Sequence, residues 1–408
     1  MGEDTPYFVS VEQALTIANK YKLSPKSETV SLDQSHNRLL ANEIISPIND
    51  PPFDNSAMDG WAVKFQDTKG ASKEQPTSLK ILPTIQAGEN HNLPTVNTGS
   101  AAKIMTGAQM PPGADSIIQV EQTEVEPHSG NVRLYSEAKQ NFIRLKGENI
   151  SKGQTIFPSG TLLTPERIGL CATMGLAELI VQTKLKIAII STGDEIIPVG
   201  QPLQSGQIYE SNSHGLAALI QWLGHTPILY PSIADNIEAV RDALNTASSE
   251  ADIILTSGGV SMGEFDLIRK IMEEEGNIHF WRVKLRPGSP PLFGDWNQTP
   301  IWGLPGNPVS SHVVFRILVA PWIRKQTGAT GPSEPKTRVK LAKSVKVMPD
   351  GLTLRRISIE HTEEGLVGRT ITHQGSGNLH SLATASALTL LYPGSLGEEG
   401  DWIDALLL

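Results

Sequence analysis

The pattern of apolar and polar positions changes near residue 184. From Lys184 to about Gly328, short apolar runs alternate with longer segments that have helical spacing. The runs predict strands at 187–190, 228–230, 253–256, 278–284 and 301–303, and the longer segments predict helices at 211–223, 236–248, 265–275 and 308–325. This alternation predicts an α/β domain with a mostly parallel sheet and helices on both faces.

The flanking regions have different patterns. Residues 9–21 have helical spacing behind Ser10 as N-cap, and a second helix is predicted from Thr164 to Leu176. Between about Trp61 and Glu148, short apolar pieces separated by Gly, Pro and Asn predict a β-rich domain. Beyond residue 332, strands of a further β unit are predicted at 338–347, 352–358, 366–372 and 387–391.

Composition and charge narrow the range of partners. The net charge is −9 with acidic and basic residues interspersed, which argues against nucleic acid or an anionic membrane as the main partner. Cys171 is the only cysteine, so intrachain disulfides and cysteine metal clusters are excluded and a reducing cytoplasm is expected. Because Arg316 and Pro321 interrupt the longest apolar run, no membrane span is predicted.

Three loops lie where predicted strands lead into helices, at 191–195, 256–266 and 303–311. In open α/β sheets, ligands bind at these carboxyl ends. Glycines let backbone N–H groups approach a ligand, and a helix N-terminus favours an anion by about 0.3–1 kcal/mol. The loops therefore predict a site for a phosphate-bearing small molecule, provided that several contributions converge. The alternative is that they are only capped turns.

Several common site classes are excluded by the absence of their motifs. The chain has no G-x-x-x-x-G-K-[ST] loop and no G-x-G-x-x-G turn with a downstream acid, so it is neither a P-loop NTPase nor an ordinary NAD enzyme. It also lacks the H-E-x-x-H helix of zinc peptidases.

Charged residues near the loops suggest how an anion is held. The acids are Asp59, Asp194, Glu195, Asp235 and Asp266. Carboxylates grouped beside a phosphate need a divalent cation between them, and Mg²⁺ is the usual one. Arg282 and Arg286 have the even spacing that places two guanidinium groups on one face of a strand, as a fork for an oxyanion. A solvated sheet face is the alternative for this pair.

Five segments, in this order, resemble one known family. They are 51–63 (PPFDNSAMDGWAV), 104–108 (IMTGA), 191–195 (STGDE), 257–263 (SGGVSMG) and 304–310 (LPGNPVS). Together the segments resemble MoeA-type molybdopterin molybdenumtransferases, a family whose gephyrin relatives carry the same module. The similarity extends over nearly the whole chain and includes residues 373–376 (HQGS).

The resemblance implies a reaction and its partners. Adenylylated molybdopterin is bound, molybdate is placed on its dithiolene, and AMP is released with the help of Mg²⁺. The family forms homodimers whose active site draws on both subunits. Transient contacts with the molybdopterin adenylyltransferase and with apo-molybdoenzymes are also implied.

The resemblance also implies four domains. Residues 1–53 and 146–183 would form an elongated, discontinuous N-terminal domain, and 54–145 the inserted β-rich domain. Residues 184–330 would form the molybdopterin-binding α/β domain, and 331–408 a C-terminal β-barrel.

Positions that match the family's functional residues are carried over one by one. The catalytic candidates are Asp59, Thr106, Glu195, Asp235 and Asp266, and of these Glu195, Asp235 and Asp266 would also hold the metal. Asp59 and Thr106 would reach the cleft from the partner's β domain. The substrate-binding candidates are Ser257, Gly258, Gly259, Ser261, Gly263, Arg282, Arg286, Pro305, Gly306, Asn307, Arg356 and Ser376.

Four positions depart from the family pattern. Arg282, Arg286 and Ser289 stand where lysines are expected, and Asn149 stands where an aspartate is expected. Arginine keeps the charge but offers a planar fork instead of a point charge. Two alternatives to the enzyme therefore stay open. One is a catalytically weakened relative that binds a pterin nucleotide or the finished cofactor as a chaperone, and the other is a gephyrin-like scaffold.

Overall fold

The computed structural model describes residues 5–88, 92–260, 266–329 and 334–408. The chain divides into two units, and both are discontinuous in sequence. The large unit comprises Met1–Asn42, Ser159–Ile168 and Glu178–Leu408, and the small unit comprises Glu43–Pro158 and Gly169–Ala177. The four-domain division stays a prediction.

The α-helices are Val11–Ala18, Phe65–Thr68, Pro165–Thr173, Asn212–Trp222, Ile237–Glu250, Leu267–Glu274, Pro308–Val314, Ala320–Gln326 and Leu379–Ala383. A π-helical segment, Phe315–Val319, joins two of these helices, and 3₁₀ turns occur at Leu32–Gln34, Val120–Gln122 and Gln140–Phe142. The predicted N-cap Ser10 forms a capping box with Gln13, which satisfies backbone N–H groups that lack a partner within the helix.

The central sheet of the large unit contains seven strands. Their spatial order is Tyr7–Val9, Asn277–Val283, Leu292–Trp296, Thr299–Leu304, Ile253–Ser257, Lys186–Ser191 and Thr226–Leu229. Both pairings of Leu292–Trp296 are antiparallel, and the other neighbouring strands are parallel. The prediction of a mostly parallel sheet is confirmed.

Two strands of this sheet were not predicted. Leu292–Trp296 is short, contains Gly294, and turns into the next strand through Asn297 and Gln298, both with positive φ. An Asn-Gln pair is a weaker hairpin signal than Asn-Gly. The edge strand Tyr7–Val9 has only three residues, too few for any periodicity to show.

Helices cover both faces of the sheet, as predicted. On the strand Lys186–Ser191, Ile187 and Ile189 belong to one buried cluster, and Ala188 and Ile190 belong to another. The first cluster includes residues of the helices Asn212–Trp222 and Pro308–Val314, and the second includes residues of Ile237–Glu250 and Leu267–Glu274. The alternation of side chains along a strand thus produces two separate apolar layers.

A closed β-barrel follows in the large unit, which confirms the C-terminal β-barrel expected from the resemblance. Its strands, in spatial order, are Lys336–Leu341, Gly365–Thr370, Arg356–Thr362, Ala387–Leu390 and Trp402–Leu407. The predicted strand 352–358 is divided in two. Its first part, Leu352–Thr353, pairs with Leu285–Arg286 instead of joining the barrel.

The small unit is β-rich, as predicted for this region. Its six-stranded sheet has the order Ser116–Gln119, Gly60–Val63, Ser100–Ile104, Thr77–Ile85, Asn131–Leu134 and Thr123–Val125. Two-stranded pairs in this unit are Ile44–Ile45 with Thr155–Phe157, and Asn55–Ser56 with Ile143–Arg144.

The remaining two-stranded pairs belong to the large unit. They are Ser27–Ser31 with Glu178–Gln182, and Ile196–Ile197 with Ile208–Tyr209. Within the described ranges, no helix has both the length and the apolar composition that a membrane span requires.

Candidate functional site

The carboxyl ends of three adjacent parallel strands lie at one edge of the central sheet. These strands end at Ser191, Ser257 and Leu304. The backbone N–H of Thr192 donates to the carbonyl of Ser257 over 3.3 Å, and that of Gly258 donates to the carbonyl of Leu304 over 3.0 Å. The structure thus brings the three predicted loops together where they leave their strands, and residues 261–265 of the second loop lie outside the described residues.

Glycine is required at two points of this edge. Gly258 has a φ of 97°, and a Cβ there would lie 3.1 Å from the carbonyl oxygen of Thr192. Gly193 has a φ of 146°, and its Cβ would lie 2.7 Å from a carboxylate oxygen of Glu195. Both backbone conformations disfavour L side chains. The glycines therefore allow the loops to touch and allow the Glu195 carboxylate to rest against the backbone.

The segment Glu210–Ser213 connects all three loops. The buried carboxylate of Glu210 accepts hydrogen bonds from Ser191 Oγ at 3.1 Å and from the backbone N–H of Ser213 at 2.9 Å. The amide nitrogen of Asn212 donates to Ser257 Oγ at 2.8 Å and to the carbonyl of Gly306 at 2.7 Å. The sequence predicted only a helix over 211–223 in this region, because the hydrogen-bond partners of these side chains are distant along the chain.

A cavity of about 700 Å³ opens at this edge. Acidic side chains, glycine-rich loops and apolar side chains each contribute part of its wall. The lining residues are Thr192, Gly193, Glu195, Ile196, Ile208, Tyr209, Glu210, Ser211, Asn212, Asp235, Ser257, Gly258, Gly259, Asp266, Gly306, Asn307, Pro308, Gly377 and Leu379. Its volume is in the range typical of small-molecule sites.

The acidic side chains of the cavity influence one another. Burial raises the pKa of Asp235 above its usual value, and the charges of Asp194 and Glu195 raise it further, with a smaller contribution from Asp266. The backbone N–H of Asp235 also donates to Asp194 Oδ1 at 3.1 Å. This crowding of negative charge would be relieved by a bound cation.

The described residues contain no group of three or more His, Cys, Asp or Glu side chains arranged to hold a metal ion. Mg²⁺ usually keeps several waters and is bound by one or two carboxylates together with substrate phosphates. A cation beside Glu195, Asp235 and Asp266 would therefore need further oxygen donors from a ligand. The three carboxylates do not form a self-contained metal cage.

Family models match most of the chain. Residues 9–175 match the model described as "MoeA N-terminal region (domain I and II)". Residues 188–325 match the model described as "Probable molybdopterin binding domain". The second match contains all three strand-end loops of the cavity.

Two bacterial relatives are similar to this chain over most of their lengths. A molybdopterin molybdenumtransferase of Haemophilus influenzae is 40% identical over 304 residues, 74% of each chain. Molybdopterin molybdenumtransferase 2 of Mycobacterium tuberculosis is 34% identical over 387 residues, 93% of this chain and 94% of the relative. This chain belongs to the molybdopterin molybdenumtransferase family.

A solved structure agrees with this assignment. The molybdopterin biosynthesis MoeA protein of Pyrococcus horikoshii OT3 is 28% identical, with a TM-score of 0.85 and coverage of 98% of this chain and 100% of that one. The resemblance to MoeA-type transferases noted from the sequence motifs is thereby confirmed.

Most of the site residues predicted between positions 184 and 330 line the cavity. They are Glu195, Asp235, Ser257, Gly258, Gly259, Asp266, Gly306 and Asn307. Pro305 is buried next to them and is not among the lining residues. Ser261 and Gly263 lie outside the described residues.

Arg356 and Ser376 lie around a loop at the border of the cavity. The buried guanidinium group of Arg356 donates to Ser381 Oγ at 3.1 Å and to the carbonyl of Gly375 at 3.0 Å. The carbonyl of Ser376 accepts from the backbone N–H of Val309 at 3.1 Å, and Gly377 lines the cavity. Arg356 therefore stabilises the loop around Ser376 through hydrogen bonds to Gly375 and Ser381.

Arg282 and Arg286 contact different neighbours. Arg282 has a φ of 64°, donates to Tyr7 Oη at 3.0 Å and lies over the ring of Phe8. The charge of Arg286 contributes, after burial, to the lowered pKa of Arg355. Arg282 lies in the strand Asn277–Val283, whereas Arg286 lies in the separate strand Leu285–Arg286, and neither arginine is among the cavity-lining residues. Their anion-binding role stays a prediction.

The other departures from the family pattern have local partners. The amide nitrogen of Asn149 donates to Asp50 Oδ2 at 3.0 Å, and Ser289 Oγ donates to the carbonyl of Val283 at 3.2 Å. Both side chains thus make a local hydrogen bond at positions where the resemblance led us to expect a charged group.

The small unit brings Asp59 and Thr106 together. Asp59 Oδ1 accepts from the backbone N–H of Thr106 at 2.7 Å and from its hydroxyl at 2.8 Å. The backbone bond lowers the pKa of Asp59 most, and the hydroxyl bond lowers it less. The charge of Lys103 makes a smaller contribution in the same direction. Two candidates from separate sequence motifs therefore form one hydrogen-bonded pair.

Replacing Thr106 with Val should raise the pKa of Asp59 while leaving it below the usual range for aspartate. The variant removes the hydroxyl bond but keeps the stronger backbone bond. An NMR titration of the carboxyl carbons measures this change. Glu126 is a matched control, because Ser129 is the main cause of its lowered pKa. An Asp59 that titrates identically in both proteins would contradict the pairing.

Proposed function

We propose that this protein inserts molybdate into adenylylated molybdopterin, releasing AMP and the finished molybdenum cofactor. Membership of a family whose relatives are named molybdopterin molybdenumtransferases supports a transferase role in molybdenum cofactor biosynthesis. The single observation that supports this ligand most directly is the cavity at the strand ends. It combines acidic side chains, glycine loops and apolar wall residues.

Each part of the wall suits one part of the ligand. The backbone around Gly258, Gly259 and Gly306 can approach phosphate oxygens closely, because no side chains intervene. Ile196, Ile208 and Tyr209 offer an apolar surface for a flat heterocycle. The carboxylates lie on the same cavity, where they oppose a bare phosphate and favour one neutralised by a metal.

Glu195, Asp235 and Asp266 are the proposed Mg²⁺ ligands. When bound, Mg²⁺ would neutralise charge on the phosphate oxygens and stabilise the charge that develops on the departing AMP. The crowding that raises the pKa of Asp235 supports this assignment. Because the acids do not form a metal cage by themselves, we expect Mg²⁺ and the phosphate ligand to bind together.

The enzyme is favoured over the two alternatives by the residues that line the cavity. Glu195, Asp235 and Asp266 are all present there, and the substituted positions Arg282, Arg286 and Ser289 are not among the lining residues. A scaffold would have no need for this set of carboxylates, and AMP release separates the enzyme from a catalytically weakened relative.

The proposed assembly is a homodimer in the cytoplasm. In it, Asp59 and Thr106 would act in the active site of the partner subunit. The hydrogen bonds that join these two residues support their acting as a unit. The molybdopterin adenylyltransferase and apo-molybdoenzymes are the proposed transient partners.

A release assay tests the proposed function. Purified protein is supplied with adenylylated molybdopterin, Mg²⁺ and molybdate, and AMP is measured by chromatography. We expect AMP release that requires both Mg²⁺ and molybdate, with sulfate in place of molybdate as the control anion. Tight pterin binding without molybdate-dependent AMP would show that the catalytically weakened relative is the correct description.

A further inference from the structure

The side-chain amide of Asn212 has a fixed orientation. Its nitrogen lies 2.7 Å from the carbonyl oxygen of Gly306. A carbonyl oxygen only accepts hydrogen bonds, so the atom facing it must be the amide NH₂ group. The same nitrogen lies 2.8 Å from Ser257 Oγ. Asn212 therefore donates to the serine hydroxyl.

This orientation determines what the Ser257 hydroxyl can do. A hydroxyl has one proton to donate and two lone pairs that accept. One lone pair of Ser257 Oγ receives the Asn212 bond, and the proton has no acceptor among the described side chains and backbone groups. Ser257 is 2% exposed and lines the cavity beside Gly258 and Gly259. The cavity is thus the direction in which an acceptor for this proton can be supplied.

We propose that Asn212 is a positioning residue that turns the Ser257 hydroxyl proton into the cavity, where it donates to a phosphate oxygen of the ligand. The inference rests on the proposed function and adds the residue that orients this donor. A phosphate oxygen is a strong acceptor, and hydrogen bonds to charged groups are about twice as strong as neutral ones. The bond from the same nitrogen to the carbonyl of Gly306 holds the amide in this orientation.

Asn212 has the burial expected of such a role. It is 9% exposed and is the first residue of the helix Asn212–Trp222, so its backbone is held by the helix. Its amide oxygen is buried without a hydrogen-bond partner among the described residues. Leaving such an acceptor unpaired is unfavourable, and the two bonds of the amide nitrogen offset that cost.

A double-mutant cycle tests the inference. AMP and adenosine, each with Mg²⁺, are titrated calorimetrically into the wild type, Asn212→Ala, Ser257→Ala and the double variant. We expect Asn212→Ala and Ser257→Ala each to weaken AMP binding about tenfold or more, since each removes a hydrogen bond to a charged group or its orientation. Adenosine, which lacks the phosphate, should lose less than about twofold.

The cycle also shows whether Asn212 acts through Ser257. In that case the double variant should bind AMP within about threefold of Ser257→Ala, because the orienting amide has nothing left to orient. Asn277→Ala is the matched control, since Asn277 donates to Asp295 Oδ1 at 3.0 Å and is absent from the cavity wall. If Asn212→Ala does not fold, Asn212→Ser shortens the side chain and removes the same two bonds.

Three outcomes would overturn the inference while leaving the proposed function intact. They are unchanged AMP affinity in Asn212→Ala, equal losses for AMP and adenosine, and strictly additive effects in the cycle. A wild-type protein that fails to bind AMP with Mg²⁺ would instead contradict the proposed function itself. The two failures are therefore distinguishable in one experiment.

Discussion

Glu195→Gln should lower the rate of AMP release by at least about a hundredfold, since even outer-shell partners of a metal ligand contribute about 10- to 100-fold. The variant keeps the shape of the side chain but removes the charge that is proposed to hold Mg²⁺. Glu195 lies on the cavity, and its carboxylate rests against Gly193, so the amide can occupy the same space. The fold should be unaffected.

The Mg²⁺ dependence of AMP release separates a metal ligand from a structural residue. In Glu195→Gln, the Mg²⁺ concentration required for half-maximal release should increase, and thermal unfolding should match the wild type. Glu274→Gln is the control, because Glu274 is exposed on the helix Leu267–Glu274 and is not a cavity residue. Wild-type release with unshifted Mg²⁺ dependence would show that Glu195 does not bind the metal.

Acidification from pH 7 to pH 4 should destabilise the large unit through two partly buried histidines. Burial lowers the pKa of His225 to about 4, with further lowering by Lys184 and Arg38. Burial also lowers the pKa of His312 to about 4, with a smaller effect of Arg316. The ordinary value is about 6.5.

The sign of the pH effect follows from proton binding. Between about pH 6.5 and pH 4 the unfolded chain binds a proton at each histidine and the folded chain does not, so stability decreases as the pH falls through this window. Above pH 6.5 the contribution is fully present. The difference between the unfolded pKa of about 6.5 and the folded pKa of about 4 corresponds to about 3 kcal/mol of unfolding free energy for each histidine.

Urea unfolding followed by tryptophan fluorescence at several pH values measures this loss. The double variant His225→Asn and His312→Asn should lose less stability between pH 7 and pH 4 than the wild type. At His225, the asparagine oxygen can still accept the bond that His225 Nδ1 receives from the backbone N–H of Leu185. His361→Asn, at an exposed position, is the control. Parallel pH profiles for wild type and double variant would refute the explanation.

Local sequence features determined much of the fold. Buried runs such as Ile253–Ser257 and helices such as Ile237–Glu250 were predicted because side-chain periodicity is set by the backbone geometry of each element. The glycine-rich loops were also recognised locally, because glycine marks backbone conformations that other residues disfavour. The ordered motifs further indicated the family and, through it, the C-terminal barrel.

The candidate site was predicted in part. Glu195, Asp235 and Asp266 were selected because they follow strand ends, and the structure places all three on one cavity. The roles assigned to these side chains remain predictions. The expected fork of Arg282 and Arg286 assumed one uninterrupted strand, but the first strand ends at Val283 and Leu285–Arg286 pairs with the distant segment Leu352–Thr353, a pairing that leaves no clear sign in the sequence.

Only the tertiary structure decided which distant groups meet. It joined Asn212 to Ser257 and Gly306, and it paired Asp59 with Thr106. Such contacts depend on which strands become neighbours and on how loops close over them, and neither is encoded in the periodicity of one segment. The sequence by itself therefore determined most of the elements and the types of chemistry at their ends, whereas the hydrogen bonds that orient this chemistry required the assembled sheet.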